Sequence, residues 1–160
     1  IASSGNLINN PLASINFTGN FASVISSANT PFYFSNININ KSTPAATVTL
    51  AVNIDSLNTL AIMSGKLNID TFRITEELNS GMLEIDSAAT LRIGGTNGLP
   101  VFTTYNLDSL SIVEYSGTAQ NINNNISYGS IKIAGSDIKT ATGAINILGD
   151  YEQRQALLFV

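Results

Sequence analysis

Cysteine, histidine and tryptophan are all absent from this 160-residue chain. Without His or Cys, the usual zinc sites, a Cys nucleophile, a haem-ligating His and a Ser-His-Asp triad are excluded. Charge is scarce as well, at 11% of residues against the quarter typical of soluble domains. The cations (Lys41, Lys66, Arg73, Arg92, Lys132, Lys139 and Arg154) stand singly, and the net charge is −4. That balance argues against nucleic acid, whose binding needs clustered Lys and Arg. Long apolar runs are missing too. The longest reach four or five residues, as at 156–160, against the ~20 that a membrane-crossing helix requires. No membrane span is expected. The chain opens at Ile1 without an n-region or cleavage site, and reads as a fragment or mature segment of a longer protein.

What is present is a 44% hydrophobic content cut into short alternating windows. Ile15-Asn16-Phe17, Ile37-Asn38-Ile39, 48–52, Leu67-Asn68-Ile69 and Phe72-Arg73-Ile74 all place apolar residues two apart. Leu83-Glu84-Ile85, Leu91-Arg92-Ile93, Ile131-Lys132-Ile133 and Ile145-Asn146-Ile147 do the same. Period two marks half-buried strands. Turn residues separate the windows, at Ser64-Gly65, 79–81, 94–98, Ser116-Gly117 and Gly149-Asp150. No apolar face with helical spacing persists, and the best helical candidate, 76–79, is too short. The chain is all-β.

Asn recurs between the apolar positions (Asn16, Asn36, Asn38, Asn53, Asn68, Asn146), where strands normally disfavour it. A sandwich would gather Asn in its turns. In stacked coils, an outward Asn can bond the neighbours above and below. Four blocks also recur in order at offsets of 92 to 98 residues. Phe34–Ile39 matches Tyr128–Ile133, and 49–55 matches 144–150. Ile15–Gly19 matches Val113–Gly117, and Ile1 matches Ile93. These blocks predict a duplicated unit of about 95 residues, built of coils of ~20 to 25 residues. It divides the single solenoid segment 1–160 into one unit, 1–92, and a partial second unit, 93–160.

The runs TLAIMSGKLNI (59–69), GMLEIDSAATLRIGGTNGLPVF (81–102), SLSIVEYSGTAQNI (109–122) and YGSIKIAGSDIKTATGAINILGD (128–150) resemble repeats of secreted Bacteroidota surface proteins. The resemblance covers nearly the whole chain, and its motifs are architectural. It implies a β-helix repeat region of a large adhesin-like protein, exported by the type IX secretion system and serving gliding motility or attachment. The implied location is extracellular or at the bacterial cell surface. The implied partners are flanking repeats of the same protein, the secretion machinery and surface polysaccharide. No sorting domain is visible in these residues.

Residues that could carry chemistry are few. Gly94-Gly95-Thr96-Asn97-Gly98 lacks the spacing and the following Lys of a phosphate loop, and reads as a turn. The close acidic pairs are Glu76-Glu77 and Glu84 with Asp86. Two carboxylates fall short of the oxygen count that Ca²⁺ takes, so a solvated strand face is favoured and no metal or cofactor is expected. Phe32, Tyr33 and Phe34 form the candidate glycan contact, since sugars stack on exposed rings; packing into the core competes with that reading. Asp55-Ser56-Leu57, Asp86-Ser87-Ala88 and Asp108-Ser109-Leu110 repeat one tripeptide, and Asp70-Thr71-Phe72 nearly fits it. Asx turns account for Asp-Ser pairs on their own. The resemblance implies a second role, because the tripeptide is similar to the O-glycosylation acceptor signal of exported Bacteroidota proteins. Ser56, Ser87 and Ser109 are the acceptors so implied, with Thr71 as a further one. The Asn-x-Ser/Thr triplets at Asn16, Asn40 and Asn125 are discounted as a eukaryotic pattern.

The expected fold is a right-handed parallel β-helix of about seven coils, with an antiparallel adhesin-type β-sandwich as the alternative. The expected function is a non-catalytic structural and adhesive segment. A glycan-binding module built on 32–34 and a β-helical polysaccharide-degrading enzyme are the alternatives. The enzyme would require carboxylates clustered with Lys or Arg on one strand face.

Overall fold

The computed structural model describes residues 10–28, 31–77 and 80–159. Eighteen short strands follow one another there without a helix. The first nine are β1 (Asn10–Phe17), β2 (Ser23–Ile25), β3 (Tyr33–Asn40), β4 (Thr47–Leu50), β5 (Ile54–Ser64), β6 (Lys66–Asp70), β7 (Ile74–Glu76), β8 (Met82–Ile85) and β9 (Thr90–Ile93). The other nine are β10 (Thr104–Leu107), β11 (Ile112–Tyr115), β12 (Asn121–Ile122), β13 (Ser127–Tyr128), β14 (Ser130–Ile133), β15 (Lys139–Ala141), β16 (Asn146–Ile147), β17 (Tyr151–Gln153) and β18 (Leu157–Phe159).

Strands of three to five alternating residues are too short to hold a sheet on their own. They are stabilised by stacking on the same stretch of the next turn of chain. Every ladder among the described residues is parallel. The first face stacks β1, β3, β5, β8 and β10, with β7 against the start of β5. The second stacks β2, β4, β6, β9, β11, β14 and β17, so seven strands delimit six turns. Two further sheets close the late coils, β12-β15-β18 and β13-β16. The molecule is a parallel β-solenoid, and the antiparallel sandwich has no counterpart in it.

Alternation sends one side of each strand inward. Ile15, Ile37, Leu60, Leu83 and Tyr105 form one axial row of the first face, and Phe17, Ile39, Ile62, Ile85 and Leu107 form the next. On the second face, Val48, Leu67, Leu91, Val113 and Ile131 stack in the same way. All but the end members of these rows are fully buried, each contributing about 1.5–3 kcal/mol by transfer from water.

The structural repeat is one coil, and the coils are uneven. On the first face the register advances 22 residues from Ile15 to Ile37 and 23 from Ile37 to Leu60. On the second it advances 22 from Leu91 to Val113, then only 18 from Val113 to Ile131. This corrects the expected match of 1–92 with 93–160. Ile37 and Ile39 lie in β3 on the first face, whereas Ile131 and Ile133 lie in β14 on the second. Ile15–Phe17 and Val113–Tyr115 are likewise on different faces. An offset near 95 is close to four coils, but coils of unequal length leave it one face out of step.

At the corner after the second face the backbones of successive coils nearly touch. A Cβ on Gly117 would lie 1.9 Å from the Gly95 carbonyl oxygen, and one on Gly135 2.2 Å from that of Ser116. Glycine is required there because any side chain would collide with main chain. The 94–98 glycines are part of this corner column: Gly94 donates its N–H to the Asp70 carbonyl, and Thr118 donates to that of Gly95.

Candidate functional site

The outward side of the second face collects charge. Asn68, Arg92, Glu114, Lys132 and Glu152 stand in register on β6, β9, β11, β14 and β17. Lys66, Thr90, Ile112 and Ser130 form the adjacent outward row. Glu114 lies 3.4 Å from Arg92 Nε and 3.9 Å from Lys66 Nζ, with its side chain only 11% exposed. Lys132 approaches Glu152 at 3.7 Å, and Arg154 Nε donates to Glu152 Oε1 at 2.6 Å. The Arg154 hydrogen bond holds the Glu152 carboxyl below its ordinary range, with Lys132 adding to the effect. Signs therefore alternate along the axis across four coils. A shallow groove of about 310 Å³ runs beside this stripe, with Leu110 and Ile112 as its apolar part and Glu114 and Lys132 among its polar lining.

This is a cluster of carboxylates with cations on one strand face. Glu114 and Glu152 are two strands apart, roughly 9.6 Å along the axis at ~4.8 Å per strand, and Lys132 stands between them. Such an arrangement binds polar ligands readily. As an acid–base pair it lacks an obvious proton donor, since the carboxylates face cations that favour their ionised forms. None of these residues stood out in the linear sequence, because the members lie 18 to 24 positions apart and meet only in the coil register.

The first face carries the uncharged counterpart. Asn36 Nδ2 donates to Ser14 Oγ at 2.8 Å, Asn38 Nδ2 to Asn16 Oδ1 at 2.7 Å, and Asn106 Nδ2 to Glu84 Oε1 at 2.8 Å. Outward Asn thus braces one coil to the next, as its strand positions suggested, though Thr59 and Ala61 interrupt the column. Glu84 is engaged in this ladder, and Asp86 sits in the following turn with its N–H on the Ile62 carbonyl. No group of three or more potential metal ligands converges among the described residues.

Two lysines are buried at corners. Lys41 Nζ donates to the carbonyls of Thr18 at 3.1 Å and Phe21 at 2.9 Å and to Ser23 Oγ at 2.8 Å. Lys139 Nζ donates to the carbonyls of Gly117 at 2.8 Å and Ser136 at 2.6 Å. Burial pulls the Lys139 ammonium below its ordinary pKa, and the Asp137 carboxylate opposes that. Inside the late coils the Tyr115 and Tyr128 hydroxyls meet at 2.9 Å, and Tyr128 also donates to the Asn123 carbonyl at 2.8 Å. Burial pushes the Tyr115 phenol well above its usual range and Tyr128 up to about 12.

The residues singled out from sequence are not brought together. Phe32 and Phe34 are each 1% exposed, their rings edge-to-face with centroids 4.7 Å apart. This corrects the three-ring glycan contact: alternation turns 32 and 34 into the core and leaves only Tyr33, half-buried, on the other side. Ser87 and Ser109 are exposed in the turns that link the first face to the second, on successive coils. Ser56 is half-buried within β5, paired with Tyr33, and Thr71 is exposed at a corner. No helix among the described residues is long and apolar enough to cross a membrane. No protein-family model matches the chain, and no similar curated protein or solved structure is found.

Proposed function

We propose that this chain is a non-catalytic structural and adhesive segment of a large bacterial surface or secreted protein, a rod that holds other parts at a distance. The observation that supports this reading most is where the outward polar side chains go. On both faces they bond the next coil along the axis, through Asn on the first face and through Arg92–Glu114 and Lys132–Glu152 on the second. Side chains committed to their neighbours brace a rod. The same reading places the chain outside the cell and takes the exposed Ser87 and Ser109 as O-glycan acceptors. Ser56 fits that role less well, because a half-buried strand residue offers an enzyme little access.

One observation favours a second reading, a polysaccharide-degrading groove centred on Glu114 with Lys66, Arg92 and Lys132 around it. Incubation with a panel of neutral and acidic polysaccharides separates the two. The structural reading expects no release of chain ends. Release that disappears in Glu114→Gln would replace it with the catalytic one.

A further inference from the structure

The ladder on the first face breaks in one place. Asn106 is tied to Glu84 on one side, and Ser127 Oγ accepts from Asn146 Nδ2 at 2.7 Å on the other. Between Asn106 and Ser127 no hydrogen bond runs, and β10 and β13 share no ladder. The shortened coil explains the break. The turn that advances only 18 residues on the second face leaves a two-residue strand, β13, opposite the four residues of β10. A cleft of about 340 Å³ results, lined by Tyr105, Asn106, Leu107, Asn125, Ile126 and Ser127, which is within the size range of small-ligand sites.

The lining is uncharged but rich in hydrogen-bonding groups. Thr104 and Asp108 donate their N–H groups back to Gly81 and Ile85, so strand alternation turns those of Tyr105 and Leu107 toward the cleft. Asn106 spends Nδ2 on Glu84 and keeps its Oδ1 acceptor, while Ser127 accepts from Asn146 and keeps its O–H donor. One acceptor and one donor thus remain at the two ends of a broken ladder, beside the Leu107 and Ile126 side chains. A group that both gives and takes a hydrogen bond, on a scaffold with small apolar faces, completes that pattern. An ion finds no countercharge, and an added peptide strand finds only two residues of edge on β13.

We propose that this cleft binds a neutral carbohydrate, whose hydroxyls bridge Asn106 and Ser127 across the interrupted ladder. The structural reading above stands whether or not a sugar binds. The test is an amide chemical-shift titration of the whole chain with glucose, galactose, mannose and N-acetylglucosamine and their β-linked disaccharides, with glucuronate as a charged control. At least one neutral sugar should move the amides of Tyr105, Leu107 and Ser127 together, at millimolar concentration. Asn106→Ala with Ser127→Ala should weaken that response about ten-fold; Ser127→Ala alone serves if the pair disturbs the fold. Three results would overturn the proposal: no response to any neutral sugar, an equal response to glucuronate, or a response that the variants leave unchanged.

Discussion

The early and late coils of this solenoid are held by different means. On the first face, coils of 22 and 23 residues enclose aliphatic rows such as Ile37–Leu60–Leu83, and outward Asn braces them. The coil that advances only 18 residues encloses Tyr115, Tyr128, Gln120 and Lys139. Gln120 Nε2 donates to the Asn97 carbonyl at 2.8 Å, and Gly117 N–H donates to Gln120 Oε1 at 2.8 Å. A shorter circuit has fewer inward positions and tighter corners. Large rings therefore span its interior, and side-chain donors meet the carbonyls that its corners turn inward. Coil length thus selects between an apolar core and a polar-stapled one.

The sharpest way to break this comparison is at the corners. Gly117→Ala drives a Cβ into the Gly95 backbone and should cost more than ~3 kcal/mol in urea unfolding. Gly19→Ala, in an early coil, meets nothing within 4 Å and bears only the strain of its φ of +76°, roughly 1–2 kcal/mol. Equal losses would mean that the late coils are no tighter than the early ones.

Alkaline pH should separate the regions next. Both buried phenols titrate above the ordinary value of about 10. The folded state holds these protons longer than the unfolded state does, so their contribution is complete below pH ~10 and is lost as pH rises toward the folded value. For Tyr128, at about 12, the loss amounts to ~2–3 kcal/mol. Hydrogen exchange at rising pH should therefore open residues 112–133 before 47–69, and Tyr128→Phe should flatten that dependence. A smaller effect is expected of Tyr115→Phe, about 1 kcal/mol, because Tyr128 keeps its bond to the Asn123 carbonyl.

Local features of this fold were legible in the sequence, and long-range ones were not. Period two at Ile37–Ile39 or Leu83–Ile85 is visible within a few residues, so the all-β character and the inward rows follow directly. The same rule, applied to three consecutive rings, already requires Phe32 and Phe34 to face away from Tyr33. The coil register depends instead on corner lengths that no short window contains, and the charged stripe at Arg92, Glu114 and Lys132 emerges only from it. The matched blocks show why the duplication misled. Phe17-Thr18-Gly19 and Tyr115-Ser116-Gly117 each encode a strand running into a corner, and each corner is plugged by a lysine of the next coil, Lys41 and Lys139. The motif specifies a corner, and a corner can serve any face.

Stretching single molecules between residues near 12 and 159 tests the braced rod most directly. Coils that stack as independent braced units should release in successive steps of 18 to 25 residues, each lengthening the chain by roughly 60–90 Å at 3.3–3.6 Å per residue. One abrupt extension of the entire chain, at a force no higher than a loosely packed domain withstands, would contradict it.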